Sequence, residues 1–174
     1  MSVPDFQISK DLFAGMAKNT MPAAPHFETN LRNDLMAGYS GTPLAKKLGI
    51  KENFKVAMIN SPDHFEDTLG KLPPGVTIST AARKSIDLIL FFTKSQADLN
   101  RNFPRLAENL VSNGMLWVGW PKKTSGVSTD LAEGIVQKIG LAAGLVDTKV
   151  CAIDEVWSGL RFVIRVKDRP RPSK

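Results

Sequence analysis

The chain has 174 residues and a net charge of +6, with 43% hydrophobic and 23% charged residues. That composition suits one globular domain large enough to bury a core unaided, and no run nears the roughly 18 apolar residues of a membrane span. A single cysteine, Cys151, excludes an internal disulfide framework and fits a reducing, cytoplasmic setting.

The opening "MSVPDFQISKDLFAG" has no basic segment leading into an apolar one, so no secretory signal is expected. Residues 1–37 read as an N-terminal extension. "NTMPAAP" is linker-like, and Phe27, Leu31 and Leu35 would share one helical face. From "GTPLAKKLGI" the punctuation sharpens: Thr42 as cap, Pro43 at the first helical position and Gly49 as stop.

Strands and helices then alternate. "FKVAMIN" (54–60) is a buried strand. "SPDHFEDTLG" (61–70) is a short helix capped by Ser61, with Phe65 and Leu69 inward and Gly70 as stop. "VTIST" (76–80) is a short strand. "DLILFFT" (87–93) is apolar on both faces, as in a strand covered by helices on each side. "SQADLNRNFPRLAENLVSNG" is a helix with a Ser95–Asp98 capping box and a stripe of Leu99, Phe103, Leu106 and Leu110. Pro104 should kink it and Gly114 end it. "MLWVGW" (115–120) is a strand whose Trp117 and Trp120, three apart, face opposite sides. "STDLAEGIVQKIGLAAG" (128–144) is a helix with acids in its first turn. "KVCAIDEVW" and "LRFVIRV" are strands joined by a tight turn at Ser158–Gly159. The last fourteen residues, "RFVIRVKDRPRPSK", hold six basic residues and one acid, so 169–174 reads as a basic tail.

The alternation implies a three-layer, Rossmann-like α/β domain over 38–168. Its sheet would be mixed, mainly parallel and of about six strands, with a C-terminal antiparallel hairpin. The blocks "GYSGTPLAKKLGIK", "LPPGV", "LWVGWPKK", "STDL" and "GLVDTKVCAIDEVWSGLRFV" resemble a bacterial family known as domain of unknown function 3052. That resemblance implies no activity, cofactor or catalytic residue. It begins after Met36, which implies that the preceding arm is an extension. A weaker, fold-level resemblance is to Rossmann-type methyltransferases, carried by "DLILFFT" and "NGMLWVGWPKK" with the helix and strands that follow. The first half departs from it. The turn "INSPDHF" has no glycine, and Pro62 removes an amide where a ligand's charge would sit. No cofactor is assigned, and S-adenosylmethionine and NAD are disfavoured on this ground.

A parallel sheet offers its crevice at the carboxyl ends of its strands. The expected ligand-binding residues there are Asn60, Ser61, Lys94, Trp120, Lys122, Lys123, Trp157 and Ser158. Asp154 and Glu155 are candidates for an acid–base pair, against the alternative that they cap a turn. Cys151 reads as an inert thiol, with no histidine near in sequence to activate it. No cysteine–histidine spacing suits a metal. The leading expectation is a non-catalytic or regulatory domain that binds a small anionic ligand or a protein partner at this cleft. The alternatives are a divergent transferase-like enzyme using an acid and lysine cleft, and nucleic-acid binding through the basic tail. The tail lacks interleaved aromatics, which counts against the last.

Overall fold

The structure, a computed structural model, describes residues 41–169. The arm with its Phe27–Leu31–Leu35 stripe and the tail 170–174 lie outside the described residues. No described helix is long and apolar enough to cross a membrane.

Six strands form one sheet: β1 (Lys55–Ile59), β2 (Thr77–Ser79), β3 (Ile86–Phe92), β4 (Leu110–Pro121), β5 (Leu145–Ala152) and β6 (Trp157–Ile164). Their order is β2-β1-β3-β4-β6-β5. The β2–β1, β1–β3 and β3–β4 pairs are parallel, and β6 runs antiparallel to both neighbours. This is the mixed, mainly parallel sheet expected from the alternation.

β3 shows why the sheet needs two covered faces. Leu88, Leu90 and Phe92 point to one side, Ile89 and Phe91 to the other, and all are buried. On the first side they meet α1 (Leu44–Leu48) and α2 (Phe65–Leu69), through Leu44, Leu48, Phe65 and Leu69. On the second they meet α3 (Gln96–Ala107) and α4 (Glu133–Ala142), through Leu99, Phe103, Leu106 and Val136. Trp117 and Trp120 do face opposite sides. Trp117 joins the α1/α2 core, where its indole N–H donates to the Leu48 carbonyl at 2.9 Å, and Trp120 joins the α3/α4 core.

The N-cap of α1 is Pro43 rather than Thr42, and β5 begins at Leu145 rather than Lys149. Four further boundaries differ from the sequence reading, each for a local reason. First, α2 begins at Phe65 rather than after Ser61. Asn60 (φ 53°) and His64 (φ 56°) are left-handed, so residues 60–64 form a loop and Ser61 caps nothing. Second, α3 ends at Ala107 with Pro104 inside it, and Leu110 starts β4. The Ile86 amide donates to the Asn109 carbonyl, so pairing with β3 captures the chain five residues before Gly114. Leu110 then faces Ile86 while Met115 faces Leu88, and the surplus residues of β4 bulge between those pairs.

Third, α4 begins at Glu133, because Asp130 is spent elsewhere: its carboxylate accepts the Gln96 amide at 2.8 Å and so caps α3. Fourth, the β5–β6 turn is 153–156, not Ser158–Gly159. Ser158 and Gly159 sit in β6, opposite Trp120 and Gly119. Gly159 is there for packing: a Cβ would lie 2.9 Å from Ile153 and 3.2 Å from Trp117.

Gly140 yields a test in which two effects oppose. Alanine in mid-helix ordinarily gains about 1 kcal/mol over glycine. Here its Cβ would fall 2.1 Å from the buried Phe162 ring, which is already held edge-on by Phe103 at 5.1 Å. Overpacking of this kind costs about 1–3 kcal/mol. Gly140→Ala is therefore expected to lower the midpoint of urea unfolding, and a raised midpoint would show that the ring yields freely.

Candidate functional site

β1 feeds β2 on one side, and the chain then crosses back so that β3 pairs on β1's other side. The strand order reverses between β1 and β3. At such a point the two following loops part in opposite directions and leave a crevice beyond the strand ends. A cleft of about 570 Å³ opens there, lined by Asn60, Pro62 and Asp63 after β1, by Phe92 to Ser95 after β3, and by Asp98 and Trp157.

Its floor is ordered by one carboxylate. Asp98, half-buried in the first turn of α3, accepts from the Thr93 hydroxyl at 2.8 Å, the Asn102 amide at 2.8 Å and the Arg101 guanidinium at 2.8 Å. Ser95 caps α3 by accepting the Asp98 amide. Asp98 does not reach back to complete a capping box; its oxygens are turned to Thr93, Asn102 and Arg101. Thr93 itself is buried. The wall is aromatic: Phe92 stands edge-on to Trp157 at 5.0 Å and to Phe65 at 4.8 Å. Asp63 and Lys94 are exposed at the rim. With Asp98, the lining carries two acids and one base.

Of the residues expected from the sequence, the cleft gathers Asn60, Lys94 and Trp157. Ser61, half-buried beside Asn60, is not in the lining, and Trp120 is buried under α3 and α4. The 121–126 loop and the β5–β6 turn do lie together on this sheet edge. Pro121 pairs with Trp157, the Lys122 amide donates to Val156 O at 2.8 Å, and Lys122 Nζ donates to Asp154 O. Lys122 thereby fastens two loops to each other. Lys123 opens an exposed 3-10 turn, and Ser158 is paired in the sheet. Asp154 accepts the Val156 and Trp157 amides at 2.8 and 2.6 Å, which is the turn-capping role, and Glu155 is exposed on the same turn.

Sequence reading passed over Asp63, Phe92 and Asp98 as site residues. In sequence Asp63 falls within the expected 61–70 helix, Phe92 within an apolar strand and Asp98 within an expected capping box. The spacing Thr93, Ser95, Asp98 straight after a buried strand was the available signal. No His/Cys/Asp/Glu cluster among the described residues could hold a metal ion. Cys151 is half-buried on β5, and burial raises its thiol above the ordinary range despite Lys149, Lys47 and Arg161 nearby.

No family model matches the chain, so the resemblance to domain of unknown function 3052 has no support there, and no curated protein matches. Solved structures do match. A DhpI–SAH complex has 10% identity and a TM-score of 0.51, covering 85% of this chain and 89% of that one. A possible exported protein from Bordetella parapertussis has 10% identity and a TM-score of 0.52, covering 71% of this chain and 66% of that one. A SAM-dependent methyltransferase from Aquifex aeolicus has 14% identity and a TM-score of 0.48, covering 70% and 88%. What is shared is the Rossmann-like fold. The leading expectation of a non-catalytic or regulatory domain is corrected: these neighbours give it no backing, they show the shared fold alone, and the transferase-like alternative is taken up below as a proposal.

Two predictions follow from the geometry. Asp154→Ala strips two part-buried turn amides of their acceptor and should cost about 0.5–1.5 kcal/mol in chemical denaturation; an unchanged midpoint would free Asp154 for another role. The Cys151 thiol is held protonated in the fold, so its contribution to stability is present below the unfolded thiol's pKa and lost as pH rises through the higher folded value. Thiol-labelling rate should accordingly climb with pH at a higher midpoint than in a free cysteine peptide; an equal or lower midpoint would contradict the burial.

Proposed function

We propose that the chain is a transferase-like enzyme that takes an S-adenosyl methyl donor in the β1–β3 cleft. The supporting observation is the coincidence of the strand-order reversal with a cleft whose charged groups are two carboxylates and one rim lysine.

The fit turns on what a glycine-rich turn is for. Its amides receive the pyrophosphate of a dinucleotide. The 60–64 loop has no glycine and Pro62 has no N–H, so a phosphate-rich cofactor is poorly served. S-adenosylmethionine has no phosphate. Its sulfonium and ammonium are cations, and its ribose hydroxyls seek acceptors. Asp63 and Asp98 offer carboxylates and Asn60 a side chain that both donates and accepts. The left-handed backbone of Asn60 turns the chain where a glycine otherwise would. The residues present therefore fit this donor better than NAD, and the absence of glycine weighs against the second far more than the first.

Bound there, the donor would supply an electrophilic methyl group. The chain's own contribution is preorganisation. Asp98 is fixed by three donors before any ligand arrives, so little side-chain entropy is left to lose. Phe92 and Trp157 give an apolar wall that excludes water from one side. Lys94 at the rim suits the donor's amino-acid carboxylate.

Calorimetry with S-adenosylmethionine, S-adenosylhomocysteine, NAD and ATP tests this. The first two should bind and the last two should not, and Asp63→Asn should weaken binding about tenfold, a loss of about 1.4 kcal/mol. Binding of NAD or ATP alone, or of nothing, would overturn the reading.

A further inference from the structure

The crossover from β2 to β3 is unusually short. Parallel strands ordinarily need a dozen or more residues to cross over, usually as a helix lying on the sheet. Here residues 80–85 make the whole passage and contain no helix. The strip of sheet at β2 and the start of β1 that such a helix would cover is left open. A groove of about 860 Å³ lies there, larger than the cleft.

Its lining is not an abandoned apolar face. Lys55 and Thr77 are paired across β1 and β2 and both are exposed. The crossover adds Thr80, Arg83 and Lys84, all exposed, and Glu66 reaches in from α2. The Ser79 hydroxyl donates to the Ala81 carbonyl at 3.0 Å, which fixes the turn that carries the cations. Among the described residues Lys55, Arg83, Lys84 and Glu66 make no ion pair, so three cations and one acid face the groove, with the Asp87 carboxylate beside them accepting the Lys55 backbone amide at 2.8 Å. No aromatic side chain lines it, so there is nothing on which a base could stack.

We propose that this groove is a second binding site, for a phosphate-bearing ligand. Arg83 offers a bidentate fork, Lys55 and Lys84 offer point charges, and the Thr77 and Thr80 hydroxyls offer neutral donors, which together suit phosphate oxygens. The proposal stands apart from the reading of the cleft, whose lining residues are different ones.

The test is amide-resolved NMR titration of the full chain with inorganic pyrophosphate at fixed ionic strength, with sodium chloride as the matched control. A thymidine hexanucleotide forms a second arm. Pyrophosphate should shift amides within 77–85 and leave 60–63 and 93–95 in place. The double variant Arg83→Glu/Lys84→Glu should bind at least about tenfold more weakly, the scale of two lost charge-assisted hydrogen bonds. The control Lys138→Glu/Lys167→Glu removes equal charge from exposed sites elsewhere and should change affinity less than about twofold, the level of screened surface charge. Should the groove pair unfold, Thr77→Val/Thr80→Val read by the same titration keeps the question open to refutation, because it removes only the neutral donors. Shifts scattered over all lysines, equal weakening by the control pair, or binding of the hexanucleotide with none of pyrophosphate would each overturn the proposal.

Discussion

β3 has no polar face, and most of the structure follows from that. A strand buried on both sides must lie inside the sheet with a helical layer above and below. The chain meets this requirement by placing β1 and β4 beside it and by splitting its helices, α1 and α2 on one side and α3 and α4 on the other. Because β2 has already taken the far side of β1, the sheet must grow in the other direction from β3 onward. The reversal at β1 and β3, and the crevice beyond their ends, are consequences of burying that one strand.

Charge is distributed unevenly over this frame. The cleft at the reversal carries two acids and one base, whereas the groove beside β2 carries three bases and one acid. Arg101 pairs with Asp98 at the cleft, so the uneven charge lies mainly in the basic groove. Some of the basic residues are fasteners: Lys122 binds the Asp154 carbonyl, and Arg161 donates to the Thr148 hydroxyl while lying 6.0 Å from the Trp117 ring centre. A cation's role here is decided by whether a carbonyl or hydroxyl lies in reach, and sequence position does not reveal that.

The layered sheet was legible because it rests on hydrophobic period, which "DLILFF" and "LWVGW" display openly. Burial of Trp117 and the opposite facing of Trp120 follow from the two-residue repeat alone. The site was less legible because long-range pairing overrode local signals. Ser61–Pro62 has the chemistry of a helix start, yet two left-handed residues make it a loop and put Asp63 on the rim. Ser158–Gly159 has the chemistry of a turn, yet Gly159 is required where Ile153 and Trp117 crowd the strand. Asp130 reads as a first-turn acid of the 128–144 helix, yet that helix starts at Glu133 and Asp130 accepts the Gln96 amide at the start of α3. In each case a partner more than twenty residues away, or a backbone angle, decided the outcome. Of the three lysines expected at the cleft, Lys94 lines it, whereas Lys122 is spent on a loop and Lys123 is left on the surface.

The central claim is that the crevice beyond β1 and β3 is where the chain holds an S-adenosyl group. Its most direct measurement is the crystal structure of the chain grown with S-adenosylhomocysteine. The account places the nucleoside between the Asn60–Asp63 loop and the Thr93–Ser95 turn, within hydrogen-bond reach of Asp63 or Asp98 and against Phe92 or Trp157. Density for the compound in the groove beside β2, or a crevice left holding only water at saturating concentration, would contradict it.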